Sequence, residues 1–292
     1  MLKLYGDIIS DQEKRGFIEK VETSEISNRM PYIPHHAVKK DSATTPLRIV
    51  YDCNCREAPD APSLNDCLVS MPPMINMIND LTGIITRLIR KHKYAVSTDI
   101  EKAFLQIGLN KNDRHVTRFM WLSDPSDPTS ELVTYRFKVI LFGTTCSPYI
   151  LNATLMKHLK NNPTQFTDAL KRNLYVDNIL TSFPEELTLL SFYKESCSLL
   201  AKGGFNLRSW SSNSSELQNV AQLDNCNEND KIVKILGLRW NVDKDNISFQ
   251  TTIADPQQST TKCDVLRESS KIFDPLGIIS PVTVRAKILM QN

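Results

Sequence analysis

Residues 174–183 read LYVDNILTSF, an apolar run interrupted by one carboxylate and one amide. Leu174, Tyr175, Val176, Ile179 and Leu180 suit two short strand pieces, whereas Asp177 and Asn178 have low strand propensity and suit a two-residue hairpin turn. The spacing predicts a hairpin with Asp177 at its tip. An acid held there by apolar strands raises the question of what it binds.

A second acid has the same setting. In KYAVSTDIEKAF, residues 93–104, Asp99 follows the apolar strand residues Ala95 and Val96, and Phe104 stands five residues on. Two strands that each deliver one carboxylate to one rim suit divalent-metal phosphoryl transfer. Magnesium takes oxygen ligands and dehydrates reluctantly, so one or two protein carboxylates plus substrate phosphates suffice. Two such ions, about 3.5–4 Å apart, activate an attacking hydroxyl and stabilise the leaving group. Spacing alone leaves open the plainer alternative of a surface hairpin acid and a helix-start acid.

Around these acids, MPYIPHHAV (30–38) and LRIVYD (47–52) read as strands joined by the turn-rich KKDSATTP, and APDAPSLNDC (58–67) reads as a loop. From Met74 to His92, Ile75, Ile78, Leu81, Ile85, Leu88 and Ile89 recur at helical spacing. LVTYRFKVILF (132–142) reads as a strand ending at Gly143, and Ser147 as the N-cap of a helix with Pro148 in its first turn. A helix over 187–204 closes at Gly203-Gly204, residues 211–230 read as a polar surface loop, and KILGLRWNV with NISFQTTI reads as a strand pair. Strands and helices are mixed without regular alternation, which predicts an α+β fold with an antiparallel sheet backed by helices.

Composition narrows the class. The 292 residues are 41% hydrophobic and 23% charged, ordinary values for a globular chain with a sizeable core. A net charge of +2 does not mark a nucleic-acid binder in bulk, although basic residues cluster at Lys39-Lys40, at RLIRKHK (87–93) and at Lys171-Arg172. Seven cysteines without a CxxC pair read as reduced thiols rather than zinc ligands. There is no signal peptide and no apolar run of membrane-spanning length, so the expected location is intracellular, cytoplasmic or nuclear.

STDIEKAFLQIGL, YRFKVILFGTTCSPYILNATL, LYVDNILTSF, LLAKGGFNLRSW and ILGLRW occur in this order, accompanied by RIVYDCN, PSLNDCL and FDPLGIISPVTVRAKILMQ. Together they resemble reverse transcriptases of the BEL/Pao class of long-terminal-repeat retrotransposons. The resemblance implies a right-hand polymerase: fingers and palm over residues 1–232, then a primer-grip strand pair and a truncated start of thumb or connection over 233–292. It implies RNA-directed DNA polymerisation with two Mg2+ ions, or Mn2+, on an RNA or DNA template with primer and dNTPs. No protease, ribonuclease H or integrase sequence is expected in the chain.

Residue by residue, the resemblance makes Asp99 and Asp177 the metal-binding aspartates, with the Ile100 carbonyl as a further ligand. Asn178 stands where the family's hairpin has a second aspartate. Phe104 becomes the aromatic gate under the nucleotide sugar, where a ring opposes a 2'-hydroxyl. Gly143, Ser147 and Pro148 line the template and nucleotide pocket, and Arg48 clamps the triphosphate with its planar guanidinium. Lys40 or its neighbour Lys39 supplies a second cation. Gly204 and Phe205 match the motif after the catalytic hairpin, and Leu236 and Gly237 grip the primer end. Asn178 also leaves open a second reading, a non-catalytic remnant that at most binds nucleic acid. An unrelated metal-dependent hydrolase is a third, and it leaves Phe104 and FGTTCSP unexplained.

Overall fold

The computed structural model describes residues 2–22, 31–39, 47–68, 79–249 and 261–291. The chain opens with helix α1 (Leu2–Lys14), strand β1 (Ile18–Lys20), the strands β2 (His35–Lys39) and β3 (Leu47–Tyr51), and the single-turn helix α2 (Leu64–Cys67). Helix α3 (Leu81–Arg90) leads into β4 (Tyr94–Ile100); β5 (Arg118–Leu122) and β6 (Leu132–Phe137) then precede α4 (Ser147–Asn161) and α5 (Thr167–Asn173). Next come β7 (Leu174–Tyr175), β8 (Asn178–Phe183), α6 (Glu186–Ala201), β9 (Leu207–Ser212) and α7 (Ser215–Leu223). Strands β10 (Ile232–Ile235), β11 (Leu238–Asn241) and β12 (Asn246–Ser248) and helices α8 (Lys262–Ser270) and α9 (Ser280–Gln291) follow. The expected α+β class holds, with every strand pairing among the described residues antiparallel.

The chain divides into two compact units that interleave in sequence, one of Met1–Met77 with Lys102–His158 and one of Ile78–Glu101 with Leu159–Asn292. The first holds the sheet β1-β6-β5 and the ribbon β2-β3. Its core joins Tyr5 and Ile9 of α1 to Leu47 and Tyr51 of β3 and to Phe119 and Phe137 of the sheet. The strands expected within 30–38 and 47–52 are β2 and β3, and helix α1 forms where no element was expected: Tyr5 and Ile9 stand four apart and both are buried. The loop expected over 58–67 contains α2, nucleated by a capping box in which Ser63 and Asp66 bond each other's backbone N–H.

Strand β6 ends at Phe137, not at Phe142. Beyond it the backbone pairs elsewhere: Lys138 N–H donates to the Phe17 carbonyl, and Ile140 N–H to the Ile107 carbonyl. Val139, Ile140 and Leu141 stay buried, so the apolar run marks core without marking strand.

The second unit is built on the sheet β7-β8-β4-β9. Strands β4 and β8 run in register from Tyr94↔Phe183 to Asp99↔Asn178. One core cluster joins Ile84, Ile85 and Leu88 of α3 to Ala95, Leu180 and the β10-β11 residues Ile235, Leu238 and Trp240. Phe166, Phe183, Phe192 and Trp210 form a second, aromatic set.

Helix α3 begins at Leu81 because Asp80 caps it, its carboxylate accepting from Gly83 N–H at 2.7 Å. The helix expected from Met74 therefore covers a shorter span, and Ile75 and Ile78 lie outside the described residues. The loop expected over 211–230 contains α7, capped by Ser214 and seated on buried Leu217 and Ala221. KILGLRWNV is itself a hairpin, β10 to β11, and NISFQTTI supplies the third strand β12. Helix α4 starts at Ser147, one residue earlier than an N-cap at that position implies.

Candidate active site

The hairpin that joins β7 to β8 pairs Leu174 with Ile179 and Tyr175 with Asn178. Its two loop residues are Val176 and Asp177, so Asn178 belongs to the return strand and the expected Asp177-Asn178 turn is shifted by one. Val176 occupies the left-handed region at φ 57°. A β-branched residue there is a genuine outlier, and strain of this kind gathers at functional sites. Asp177 keeps the tip position, and the Asn178 amide donates to its Oδ1 at 2.7 Å.

Asp99 is the last residue but one of β4 and lies directly across from Asn178. The next residue, Ile100, donates its N–H to the Asp177 carbonyl at 2.8 Å, so the backbone ties the two acids' segments together. On the other side β4 meets β9, where the register slips between Ser97 and Asp99. Two β9 residues, Ser209 and Trp210, there oppose Thr98 alone, and Ser209 is left-handed at φ 51°. The bulge brings the Ser209 hydroxyl to the Asp99 carboxylate.

Burial holds the Asp99 carboxyl above its ordinary pKa, and the like charges of Asp177 and Glu228 push the same way, against the Ser209 hydrogen bond. Asp99 Oδ1 is buried and has no hydrogen-bond partner. An unsatisfied, crowded carboxylate oxygen is costly unless a cation meets it. Among the described residues no cluster of three or more His, Cys, Asp or Glu suits a metal by itself. The pair Asp99 and Asp177 therefore fits an ion that takes one or two protein carboxylates and completes its shell from water and phosphate, as magnesium does.

The remaining candidates fall into two groups. In the first unit, Arg48 lies on β3 with its guanidinium carbon 4.8 Å from the centre of the Phe142 ring. That ring meets Phe104 edge to face at 5.2 Å. Phe104 is buried, whereas Phe142 is 59% exposed. Gly143 follows at φ 111°, and a Cβ there would stand 3.0 Å from the Tyr51 carbonyl, so only glycine suits this bend. Ser147 is buried and donates to the Leu141 carbonyl at 2.7 Å; Pro148 sits in the first turn of α4. Lys40 lies outside the described residues, and Lys39, exposed at the end of β2, pairs with Leu47 and so falls on the opposite ribbon face from Arg48.

In the second unit, Gly204 at φ 79° ends the turn after α6 and Phe205 is buried. Leu236 and Gly237 form the β10-β11 turn with both residues left-handed, φ 47° and 88°. A Cβ on Gly237 would meet the Phe273 ring at 2.6 Å.

Three participants escaped the sequence reading: Ser209, Glu228 and Phe142. Ser209 reaches Asp99 through a bulge, which no periodicity announces. Glu228 lies on a segment whose N–H donates to the Trp210 carbonyl beside β9. Phe142 looked like the end of a strand, and only the break at Phe137 turns it outward.

No helix among the described residues is long and apolar enough to cross a membrane. No curated protein matches the chain. The profile of the family described as reverse transcriptase (RNA-dependent DNA polymerase) matches residues 38–237, and that of the Pao retrotransposon-like RNaseH-like domain matches residues 261–292. The second match corrects the expectation that no ribonuclease H sequence is present; FDPLGIISPVTVRAKILMQ was legible by its words as retrotransposon-like, not by any arrangement of acids. Reverse transcriptases work on a template with primer and dNTPs and generally use divalent metals. With most of its length inside the first profile and its last described helices inside the second, the chain belongs to the reverse transcriptase (RNA-dependent DNA polymerase) family, as the reverse transcriptase domain of a Pao/BEL-class retrotransposon.

Proposed function

We propose that the Asp99–Asp177 pair is the catalytic centre of this RNA-directed DNA polymerase. The observation that carries the reading is the buried, unpartnered Asp99 Oδ1, one strand away from the turn that bears Asp177. Asp99, Asp177 and the Ile100 carbonyl would hold two magnesium ions in this reading, and ions bound there would supply a lowered pKa for the primer 3'-hydroxyl and charge neutralisation for the leaving pyrophosphate. Asn178 keeps the Asp177 carboxylate oriented through its amide.

Arg48 binds the triphosphate, since a guanidinium offers paired donors to phosphate oxygens. Lys40 adds a second cation, since Lys39 falls on the ribbon face opposite Arg48. Phe104 rests under the sugar and excludes a 2'-hydroxyl, the Gly143–Pro148 loop lines the nucleotide and template side, and Leu236-Gly237 supports the primer end. These roles assign residues 1–232 to fingers and palm and 233–292 to the primer-grip pair and the segment after it.

Primer extension on an RNA template with purified protein, in magnesium and then in manganese, tests the reading. Extension by the wild type, its loss in Asp99→Ala, and admission of ribonucleotides by Phe104→Val are the expected results. Binding of primer-template without extension in either metal would replace the polymerase by a remnant that only binds nucleic acid.

A further inference from the structure

The ring of Phe142 is large, apolar and mostly exposed, yet the backbone on both sides of it is held by hydrogen bonds. Behind it, the Leu141 carbonyl is held by the Ser147 hydroxyl at 2.7 Å. Ahead of it, the Gly143 carbonyl accepts from the Asn65 amide at 3.0 Å, and Asn65 Oδ1 in turn accepts from Thr145 N–H at 2.9 Å. Glycine at 143 lets this backbone come against the Tyr51 carbonyl of β3, the strand that carries Arg48. Phe104 supports the ring edge to face. The outer end of the ring thus stays in solvent while its backbone is clamped on both sides.

Arg48 is the group this rigid ring serves. Its guanidinium lies 4.8 Å from the ring centre, within cation–π range. Its side chain makes no ion pair and no hydrogen bond with any other described residue. A planar guanidinium stacked on an aromatic face is held by its π-surface, so its in-plane N–H donors stay directed at whatever anion arrives. An arginine paired to a carboxylate would have to give up that partner first.

We infer that Phe142 is a positioning residue for nucleotide binding: it holds the Arg48 guanidinium in the orientation in which it takes the triphosphate. This rests on the assignment of Arg48 made above and extends it. Loss of the ring frees the arginine's rotamers, and ordering them again on binding weakens nucleotide affinity while leaving the chemistry at Asp99 and Asp177 to other residues.

The test uses the full chain with 15N-arginine, the Arg48 Nε–H signal being assigned by its disappearance in Arg48→Lys. In the wild type this proton should lie upfield because of the ring. It should stay there in Phe142→Tyr and return to an ordinary shift in Phe142→Leu. With primer-template and magnesium, a dATP titration should move the Arg48 signal, and half-saturation should rise roughly 2- to 5-fold in Phe142→Leu, the size of an exposed cation–π contact. Phe142→Tyr should bind as the wild type does.

In steady state the KM for dATP should rise more than kcat falls, and in an Arg48→Ala background Phe142→Leu should add nothing further. Equal dATP binding by Phe142→Leu and wild type, or multiplicative effects with Arg48→Ala, would overturn the inference while leaving Arg48 as a nucleotide ligand. An Arg48 signal that ignores dATP in the wild type would overturn both assignments, and in that case extension activity would show that the polymerase itself stands.

Discussion

Two hairpin turns in the second unit break the same rule in different ways. The β7-β8 turn places Val176 at φ 57° and follows it with Asp177, whose φ is not positive; the β10-β11 turn places Leu236 at φ 47° and follows it with Gly237 at φ 88°. Two-residue hairpins favour Asn or Gly wherever φ is positive, and neither valine nor leucine belongs there. In the second turn the glycine is required twice, by its φ and by the Phe273 ring that would strike a Cβ at 2.6 Å. In the first turn the proposed role of Asp177 requires a side chain, a carboxylate at the tip of the hairpin across from the end of β4. On the proposed assignment, the same local strain accompanies packing in one turn and presentation of an acid in the other.

The largest expected effect separates the two turns by readout. If Asp177 is the metal ligand proposed above, Asp177→Ala should lower the extension rate by at least two to three orders of magnitude, the effect of losing several kcal/mol of transition-state stabilisation. Its melting temperature should change little, because the lost hydrogen bond from the Asn178 amide is offset by removal of the like charge that presses on Asp99. A variant that keeps more than a few per cent of wild-type activity would mean that the first turn is structural like the second.

Gly237→Ala should behave in the opposite sense. A methyl group at positive φ against an aromatic ring costs about 1–3 kcal/mol, which denaturant unfolding of the second unit will register. In a Phe273→Ala background the cost should shrink to the backbone component alone. An unchanged cost in that background would show that Phe273 yields without resistance and that φ alone demands glycine.

Much of the proposed site was legible because its two acids are of a residue type that strands do not favour. Asp99 and Asp177 stand out from apolar runs, and the strands around them follow the expected pattern. The turn register was missed by one residue because the β-propensity of Val176 argues for strand, whereas the cross-strand pair Tyr175↔Asn178 forces it into the loop. Helices α1 and α7 were missed because each buries only a narrow stripe, Tyr5 and Ile9 in one and Leu217 and Ala221 in the other. Ser209 and Phe142 could not be read from the chain at all. One depends on a bulge between β4 and β9, the other on the departure of residues 138–142 from the sheet, and both are set by tertiary pairing rather than by local sequence.

Asn178→Asp sharpens the comparison from inside the first turn. The substitution removes the 2.7 Å amide contact to Asp177 and puts a third carboxylate across from Asp99. In metal-free buffer the variant should lose about 1 kcal/mol of stability at neutral pH, the size of one side-chain hydrogen bond. The folded-state pKa of Asp99 is already raised, so the stability linked to it is complete at low pH and is lost as pH rises through the folded value. The added carboxylate strengthens that trend: the melting difference between variant and wild type should close on acidification and widen toward neutrality. Magnesium should restore the melting temperature, raise the magnesium-dependent rate and shrink any advantage of manganese. A pH-independent difference would place the Asn178 side chain outside the field of Asp99.

The smallest effect tests the strain itself. Replacing a left-handed non-glycine residue by glycine relieves about 1–2 kcal/mol of backbone cost and returns roughly 0.5–1 kcal/mol to the entropy of the unfolded chain. Val176→Gly should therefore raise stability by up to about 1 kcal/mol, whereas Leu236→Gly, from a comparable φ, should gain less or lose, because the Leu236 side chain packs against the core cluster of α3 and β10-β11. Their kinetic consequences should differ. Val176→Gly loosens the turn that fixes the Asp177 carboxylate against Asp99, and small misplacements of a catalytic group are costly, so extension should slow even as the melting temperature rises. Leu236→Gly leaves that turn alone and should keep the single-nucleotide addition rate at saturating primer-template, with any loss confined to primer binding. If Val176→Gly gained stability without slowing addition, the strain at Val176 would be incidental to the position of the acid; if Val176→Gly lost stability, the valine side chain would hold the turn by contacts that outweigh its backbone cost.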